Sequence, residues 1–131
     1  MKQLEQARKF LAKAGEDETL LDAVLARPEV SDSIFGFHAQ QAAEKLLKAL
    51  LSMHAVRFRK THDLQELLSL LEDAGQRLPP DLTRVDELTP FGVEWRYDYF
   101  TAPASMDRAA VRALVAKVRA FVEAQINATA P

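Results

Sequence analysis

Apolar residues recur three and four positions apart along most of the chain, and this spacing predicts amphipathic α-helices. The predicted helices cover residues 2–26, 33–54, 64–74, 82–88 and 89–101, and a last helix runs from after residue 105 to about 127. Gly15 is a position where the first helix can break. No segment alternates as a strand does, and the connections are short. The pattern therefore predicts an all-α, antiparallel up-and-down bundle of five to six helices with a four-helix core, formed by residues 1–131 as a single domain.

Residues that favour helix ends separate these periodic segments. Ser31 or Asp32 is suited to cap the second helix, and Asp63 resembles the first residue of a capping box for the third. Gly75 is well placed to end the third helix. In Thr89–Pro90, the threonine is predicted to cap a helix whose first position is the proline.

Composition and charge narrow the class of protein. The chain has 131 residues, 48% hydrophobic and 27% charged, with a net charge of −2, which argues against a strongly basic nucleic-acid-binding domain. It has no cysteine, so disulfides, thiolate metal sites and cysteine nucleophiles are excluded. The charged N-terminal residues are unlike a signal peptide, and no apolar run reaches the roughly 20 residues of a membrane span. We therefore expect a cytoplasmic protein without a membrane segment.

The second predicted helix carries a polar row beside its core face. His38, Gln41, Lys45 and Lys48 follow one another at spacings of three and four residues. One interpretation is a solvated stripe in which Lys48 pairs with Glu44 one turn earlier. The alternative is a contact surface for a phosphate or nucleotide, because lysine ammonium groups and a histidine can bind an anion.

The same helix is apolar over more of its circumference than a simple surface helix requires. Leu47 and Leu51 lie on the far side of the core arc. This distribution predicts a second packing surface, such as one for another subunit. It motivates the hypothesis of a structural oligomerisation module without a ligand.

An aromatic-rich segment, PFGVEWRYDYF at residues 90–100, surrounds Arg96 and Tyr97. One interpretation has Arg96 stacked on an aromatic ring or paired with Glu94 or Asp98. The other interpretation has its guanidinium group held in place for a phosphate.

Candidate catalytic residues are few. Arg57 and His62 are separated by four residues in the connector before the third helix. Such a pair can cleave RNA if the histidine transfers a proton and the arginine stabilises phosphate charge. The three histidines lack the spacing of a zinc site, and no glycine-rich phosphate loop is present. We expect no metal and no cofactor.

Three stretches of sequence resemble one known family. FHAQQAAEKLLKALL at residues 37–51, KTHDLQELLSLL at 60–71 and EWRYDYF at 94–100 are similar to the HEPN domain family, the "higher eukaryotes and prokaryotes nucleotide-binding" domain. The signature His-Ala-x-Gln-x-Ala-Glu-Lys from His38 to Lys45 is the most specific part. The Arg96–Tyr97 step matches the family's later motif, where proline often follows and this chain has Asp98.

The resemblance implies a helical bundle that is usually a homodimer and binds a nucleotide or RNA phosphate. It also implies a separate minimal nucleotidyltransferase as partner, in a toxin–antitoxin type pair. The expected ligand-binding residues are His38, Gln41, Lys45, Lys48, Arg96 and Tyr97. Some members are metal-independent ribonucleases with an Arg-x4–6-His motif in the later helices, but no histidine follows His62 here. A ribonuclease toxin is therefore the alternative hypothesis.

Overall fold

The computed structural model describes residues 2–92 and 106–129. These residues form four α-helices, one 3₁₀ helix and no strand. The elements are α1 Lys2–Val24, α2 Asp32–Met53, α3 Leu64–Asp73, the 3₁₀ helix Thr83–Gly92 and α4 Arg108–Thr129. The prediction of an all-α bundle is confirmed.

Helix α2 is the central element of the fold. It packs against α1, α3, α4 and the 3₁₀ helix, and 14 of its 22 residues are buried. Leu47 and Leu51 are completely buried within the chain. The prediction that they form a packing surface for another subunit is therefore wrong. Helix α2 is surrounded by other elements of its own chain, and packing against them accounts for its wide apolar surface.

Side-chain contacts show that α1 runs antiparallel to α2. Asp17 of α1 contacts both His38 and Lys45 of α2. Phe10, two turns earlier in α1, packs edge-to-face against Phe58, which lies beyond the C-terminal end of α2. Earlier positions of α1 thus meet later positions of the second helix and its connector.

Arginines of α4 attach that helix to α1. Arg119 donates to the carboxylate of Glu18 at 2.7 Å and to the carbonyl of Leu11 at 2.8 Å. Arg112, nearer the start of α4, pairs with Asp22 at 2.6 Å. These contacts place α4 antiparallel to α1 and satisfy the buried carboxylate of Glu18 between them.

Three predicted helix ends are confirmed. The Ser31 side chain caps α2 by accepting a hydrogen bond from the backbone N–H of Ile34 at 3.3 Å. Asp63 caps α3 by accepting from the backbone N–H of Gln65 at 3.0 Å. Gly75 follows the end of α3 with a φ of 79°, a left-handed conformation that glycine adopts without steric cost.

Two local features differ from the sequence-based expectation. Helix α1 is continuous through Gly15. Thr89–Pro90 lies inside the 3₁₀ helix and does not begin a new helix. The Thr89 hydroxyl instead accepts a hydrogen bond from the backbone N–H of Leu64 at 3.2 Å, because the first N–H groups of α3 have no partner within their own helix. Residues 93–101, the remainder of the helix predicted at 89–101, lie outside the described residues.

Candidate functional site

A buried carboxylate of α1 holds two side chains of the predicted polar row. Asp17 accepts a hydrogen bond from Nδ1 of His38 at 2.9 Å and one from Nζ of Lys45 at 2.6 Å. His38 and Lys45 are two turns apart on one face of α2, so a single carboxylate on the neighbouring helix reaches both. Their side chains remain 27% and 26% exposed, respectively. Asp17 therefore fixes both groups without removing them from solvent.

A second buried carboxylate, that of Glu44 in α2, binds three donors. It accepts from Nζ of Lys48 and Nδ1 of His62, both at 2.8 Å, and from Nε2 of Gln40 at 3.0 Å. Burial opposes ionisation of Glu44, but the hydrogen bonds from Lys48, His62 and Gln40 outweigh it, and the pKa of Glu44 lies below its ordinary value of 4.5. At neutral pH, Glu44 is therefore an anion that only accepts hydrogen bonds.

Lys48 lies inside the protein rather than on a solvated stripe. Its side chain is only 11% exposed, and its Nζ lies 5.6 Å from the centre of the Phe58 ring. The pairing with Glu44 that the spacing predicted is confirmed. The predicted exposure of Lys48 to solvent is wrong, because Phe58 from the connector lies over the ammonium group. Lys48 thus supplies the counter-charge for a buried carboxylate.

Gln40 connects Glu44 with the backbone of His62 and with Gln41. The residue is completely buried. Its Nε2 donates to Glu44 and also to the backbone carbonyl of His62 at 3.0 Å. Its Oε1 accepts from Nε2 of Gln41 at 3.0 Å. The side chain and the backbone of His62 are therefore both anchored to α2.

Four partly exposed side chains surround these buried groups. On the surface of α2, Gln41 lies between His38, which Asp17 holds, and Glu44, because it is three residues from each of them. The His62 side chain reaches the same region from the connector and is 41% exposed. We call this set the histidine face: His38, Gln41, Lys45 and His62.

The carboxylates also determine which nitrogen of each imidazole faces outward. Nδ1 is engaged in both His38 and His62, whereas Nε2 of each forms no hydrogen bond with the residues described. Within residues 2–92 and 106–129, the only buried side-chain polar atom without a partner is Nε2 of His54. The rings themselves are partly exposed, with 27% of the His38 side chain and 41% of the His62 side chain accessible.

No contact among the described residues joins the remaining candidate residues to this face. Arg57 is exposed and forms no hydrogen bond or ion pair with the described residues. Arg96 and Tyr97 lie outside the described residues. The described part of the chain contains no group of three metal-ligating side chains. A cleft of about 350 Å³ between the 3₁₀ helix and α4 includes no residue of the histidine face.

Sequence reasoning missed the residues that organise the face. Asp17, Glu44 and Gln40 were not among the predicted site residues. Gln40 and Glu44 lie within the signature from His38 to Lys45, so their proximity to the row was visible. Asp17 carried no such signal, because it belongs to another helix.

The fold and this site define a helical-bundle protein with partly exposed histidines held by buried carboxylates. A family model, the HEPN domain, matches residues 2–128, and the chain belongs to the HEPN family. This membership supports a nucleotide- or RNA-related function at the level of the family. Comparison with curated proteins and with solved structures found no match. None of the helices described here is long and apolar enough to cross a bilayer.

Proposed function

We propose that this HEPN protein binds a nucleotide or an RNA strand through the histidine face. The observation that supports this most strongly is the pair of imidazoles held at Nδ1 by Asp17 and Glu44. A ring that is already fixed loses little rotational freedom when a ligand binds, so the arrangement favours recognition. Such preorganisation is expected of a surface that binds a ligand. A stripe that contacts only solvent has no need of it.

Lys45 is the cation through which the face contacts phosphate. Its ammonium group has three N–H donors, and among the described residues only Asp17 accepts from it, at 2.6 Å. In this proposal, the two donors that no described residue engages bind phosphate oxygens. Lys48 is buried against Glu44 and Phe58, and in this proposal it positions Glu44 and does not touch the ligand.

Arg96 and Tyr97 belong to the proposal through their place in the sequence. Gly92 lies so close to Gln40 that an added Cβ would be 2.9 Å from the glutamine Cδ. Arg96 and Tyr97 follow four and five residues later. In this proposal, Arg96 adds a bidentate phosphate contact and Tyr97 adds a surface on which a base can stack.

Titration of ATP, GTP and a short RNA against the wild type and Lys45→Ala tests the proposal. We expect Lys45→Ala to weaken binding about tenfold or more, because a hydrogen bond to a charged group is lost. Lys9→Ala is the matched control, since Lys9 is an exposed lysine of α1 away from the face. Equal affinity of wild type and Lys45→Ala, or no binding by the wild type, would overturn the proposal.

RNA cleavage is a second candidate function, and the Glu44–His62 hydrogen bond is the observation that favours it. A carboxylate on Nδ1 makes Nε2 of His62 a proton acceptor. In such a reaction Nε2 takes the proton of a ribose 2′-hydroxyl, whose oxygen attacks the adjacent phosphorus. The bond from phosphorus to the 5′-oxygen breaks, and that oxygen leaves with a proton from water. Arg57 would stabilise the charge on the phosphate.

Incubation of the purified protein with RNA distinguishes this candidate from binding alone. We expect an active wild type to leave 2′,3′-cyclic phosphate ends, and His62→Ala and Arg57→Ala to lose that product. Lys60→Ala, in the same connector, is the matched control for loss of one positive charge. An inert wild type, purified free of any bound partner, would exclude cleavage.

We also propose that the protein is a cytoplasmic homodimer that works with a minimal nucleotidyltransferase in a toxin–antitoxin type pair. The support is family membership. Light scattering tests the dimer, and a mass equal to one chain would refute it. A nucleotidyltransferase reading frame beside this one, whose product co-purifies with this chain, would support the pair; separate elution of the two proteins would count against it.

A further inference from the structure

The buried carboxylates determine the hydrogen-bonding character of both imidazoles. A carboxylate has no proton to donate, so Nδ1 of His38 donates to Asp17 and Nδ1 of His62 donates to Glu44. A neutral imidazole that carries its proton on Nδ1 has only a lone pair on Nε2. In the neutral rings, both outward nitrogens are therefore acceptors.

The same reasoning assigns the outward atom of Gln41. Glu44 and the carbonyl of His62 both accept hydrogen bonds from Gln40, so the atom that Gln40 directs at them is its amide nitrogen. The oxygen of Gln40 then faces Gln41, which must present its own nitrogen to that oxygen. None of the described residues donates to the amide oxygen of Gln41, and it too is an acceptor.

We infer that the histidine face recognises hydrogen-bond donors of a nucleotide through three acceptor atoms: Nε2 of His38, Oε1 of Gln41 and Nε2 of His62. The inference rests on the proposed function and names the part of the ligand that these residues contact. Phosphate oxygens carry no proton at neutral pH and cannot satisfy three acceptors. Phosphate is therefore left to Lys45, at the edge of the face.

Two parts of a nucleotide supply such donors. One is the ribose 2′-hydroxyl, which is present in RNA and absent from DNA. The other is the base edge, where cytosine offers an exocyclic amine and uracil offers its ring N3–H instead. Four single-stranded oligonucleotides of equal length separate the two sources: oligomers of uridine, deoxyuridine, cytidine and deoxycytidine. All four carry the same number of phosphates, so contacts to phosphate alone do not distinguish them.

Affinities measured at about pH 8, where imidazole is ordinarily neutral, give four outcomes. Tighter binding of the ribose oligomers supports recognition of the 2′-hydroxyl. A difference between deoxycytidine and deoxyuridine supports recognition of the base edge: of the amine if deoxycytidine binds more tightly, and of the ring N–H if deoxyuridine does. We expect a preference of about 3- to 10-fold, the usual effect of one net hydrogen bond. Equal affinity for all four overturns the acceptor inference and leaves the proposed binding function intact. No binding to any of the four overturns the proposed function itself.

Variants connect the preference to the face. His62→Phe and Gln41→Met each remove one outward acceptor, and we expect each to reduce the preference toward equality. Lys60→Ala removes a charge from the same connector as His62 and keeps all three acceptors. Any effect on affinity should be the same for all four oligomers, so the preference should stay unchanged. A preference that survives in both His62→Phe and Gln41→Met, with their helical content intact by circular dichroism, overturns the inference.

Discussion

Replacing Glu44 by glutamine removes the charge on which the buried network depends while it keeps the side-chain shape. Three donors converge on this carboxylate, from Lys48, His62 and Gln40, and an amide cannot accept from all of them. Lys48 would then be left buried beneath Phe58 without a counter-charge. Loss of one partner from a buried ion pair costs about 3–5 kcal/mol. We expect the free energy of unfolding of Glu44→Gln to fall by about that amount.

A double-mutant cycle with Lys48→Met separates the ion pair from the rest of the network. Lys48→Met keeps an apolar chain against Phe58 and leaves Glu44 with two donors, so we expect a smaller loss of about 1.5–3 kcal/mol. The double variant contains no stranded ammonium. It should be more stable than the sum of the single losses implies, by about 0.5–3 kcal/mol. Urea unfolding followed by circular dichroism gives each free energy of unfolding.

The loss of stability in Glu44→Gln should also depend on pH. The pKa of Glu44 is lower in the folded protein than its ordinary value of 4.5, so the unfolded state binds its proton more readily. The stability that Glu44 contributes is therefore complete above pH 4.5 and is lost as the pH falls through the lowered pKa. The difference between wild type and Glu44→Gln should shrink over that acidic range. A difference under about 1 kcal/mol at neutral pH, or strict additivity in the cycle, would refute the buried-network reasoning.

Two pairs of substitutions test the backbone conformation at helix ends and the space around two helical glycines. Ala55 has a left-handed φ of 57° at the end of α2, where Gly75 has 79° at the end of α3, so Ala55→Gly should raise the free energy of unfolding by about 1 kcal/mol and Gly75→Ala should lower it similarly. Changes of the same sign in thermal melts would contradict this. Gly36→Ala would place a Cβ 2.3 Å from a ring carbon of Phe91 and should cost about 1–3 kcal/mol. Gly15→Ala, whose nearest contact would be 3.5 Å, should instead stabilise by up to about 1 kcal/mol; a loss from Gly15→Ala as large as that from Gly36→Ala would exclude steric contact as the cause.

The polar row was predictable because it depends only on the helical repeat. His38, Gln41 and Lys45 share a side of α2 wherever that helix packs. The group that fixes two of them was not predictable by spacing. Asp17 is separated from His38 by 21 positions and from Lys45 by 28, and only the packing of α1 on α2 brings them together.

Sequence spacing does not show tertiary packing, and this also explains the other differences between the predictions and the structure. The pairing of Lys48 with Glu44 followed from local spacing, but the burial of Lys48 depends on the connector that brings Phe58 over it. His62 reaches Glu44 across 18 positions of sequence. Thr89 has the sequence features of a local cap, yet its hydroxyl serves Leu64 in another helix. In each case the secondary structure was a local property, and the partner was a property of tertiary packing.

The pairing of charges beneath the histidine face leads to a final prediction about salt. Asp17 offsets Lys45 and Glu44 offsets Lys48, so the site has little net positive charge with which to attract phosphate. In the binding proposal, an RNA strand would touch phosphate through Lys45 and Arg96. One or two such contacts give a slope of log affinity against log salt of about −0.7 to −1.4 for a single strand. Titrations of an RNA oligonucleotide at several salt concentrations measure that slope. A slope several times steeper would mean that the strand follows a basic surface elsewhere, such as the exposed Arg57 and Lys60, because compensated lysines cannot release that many counterions.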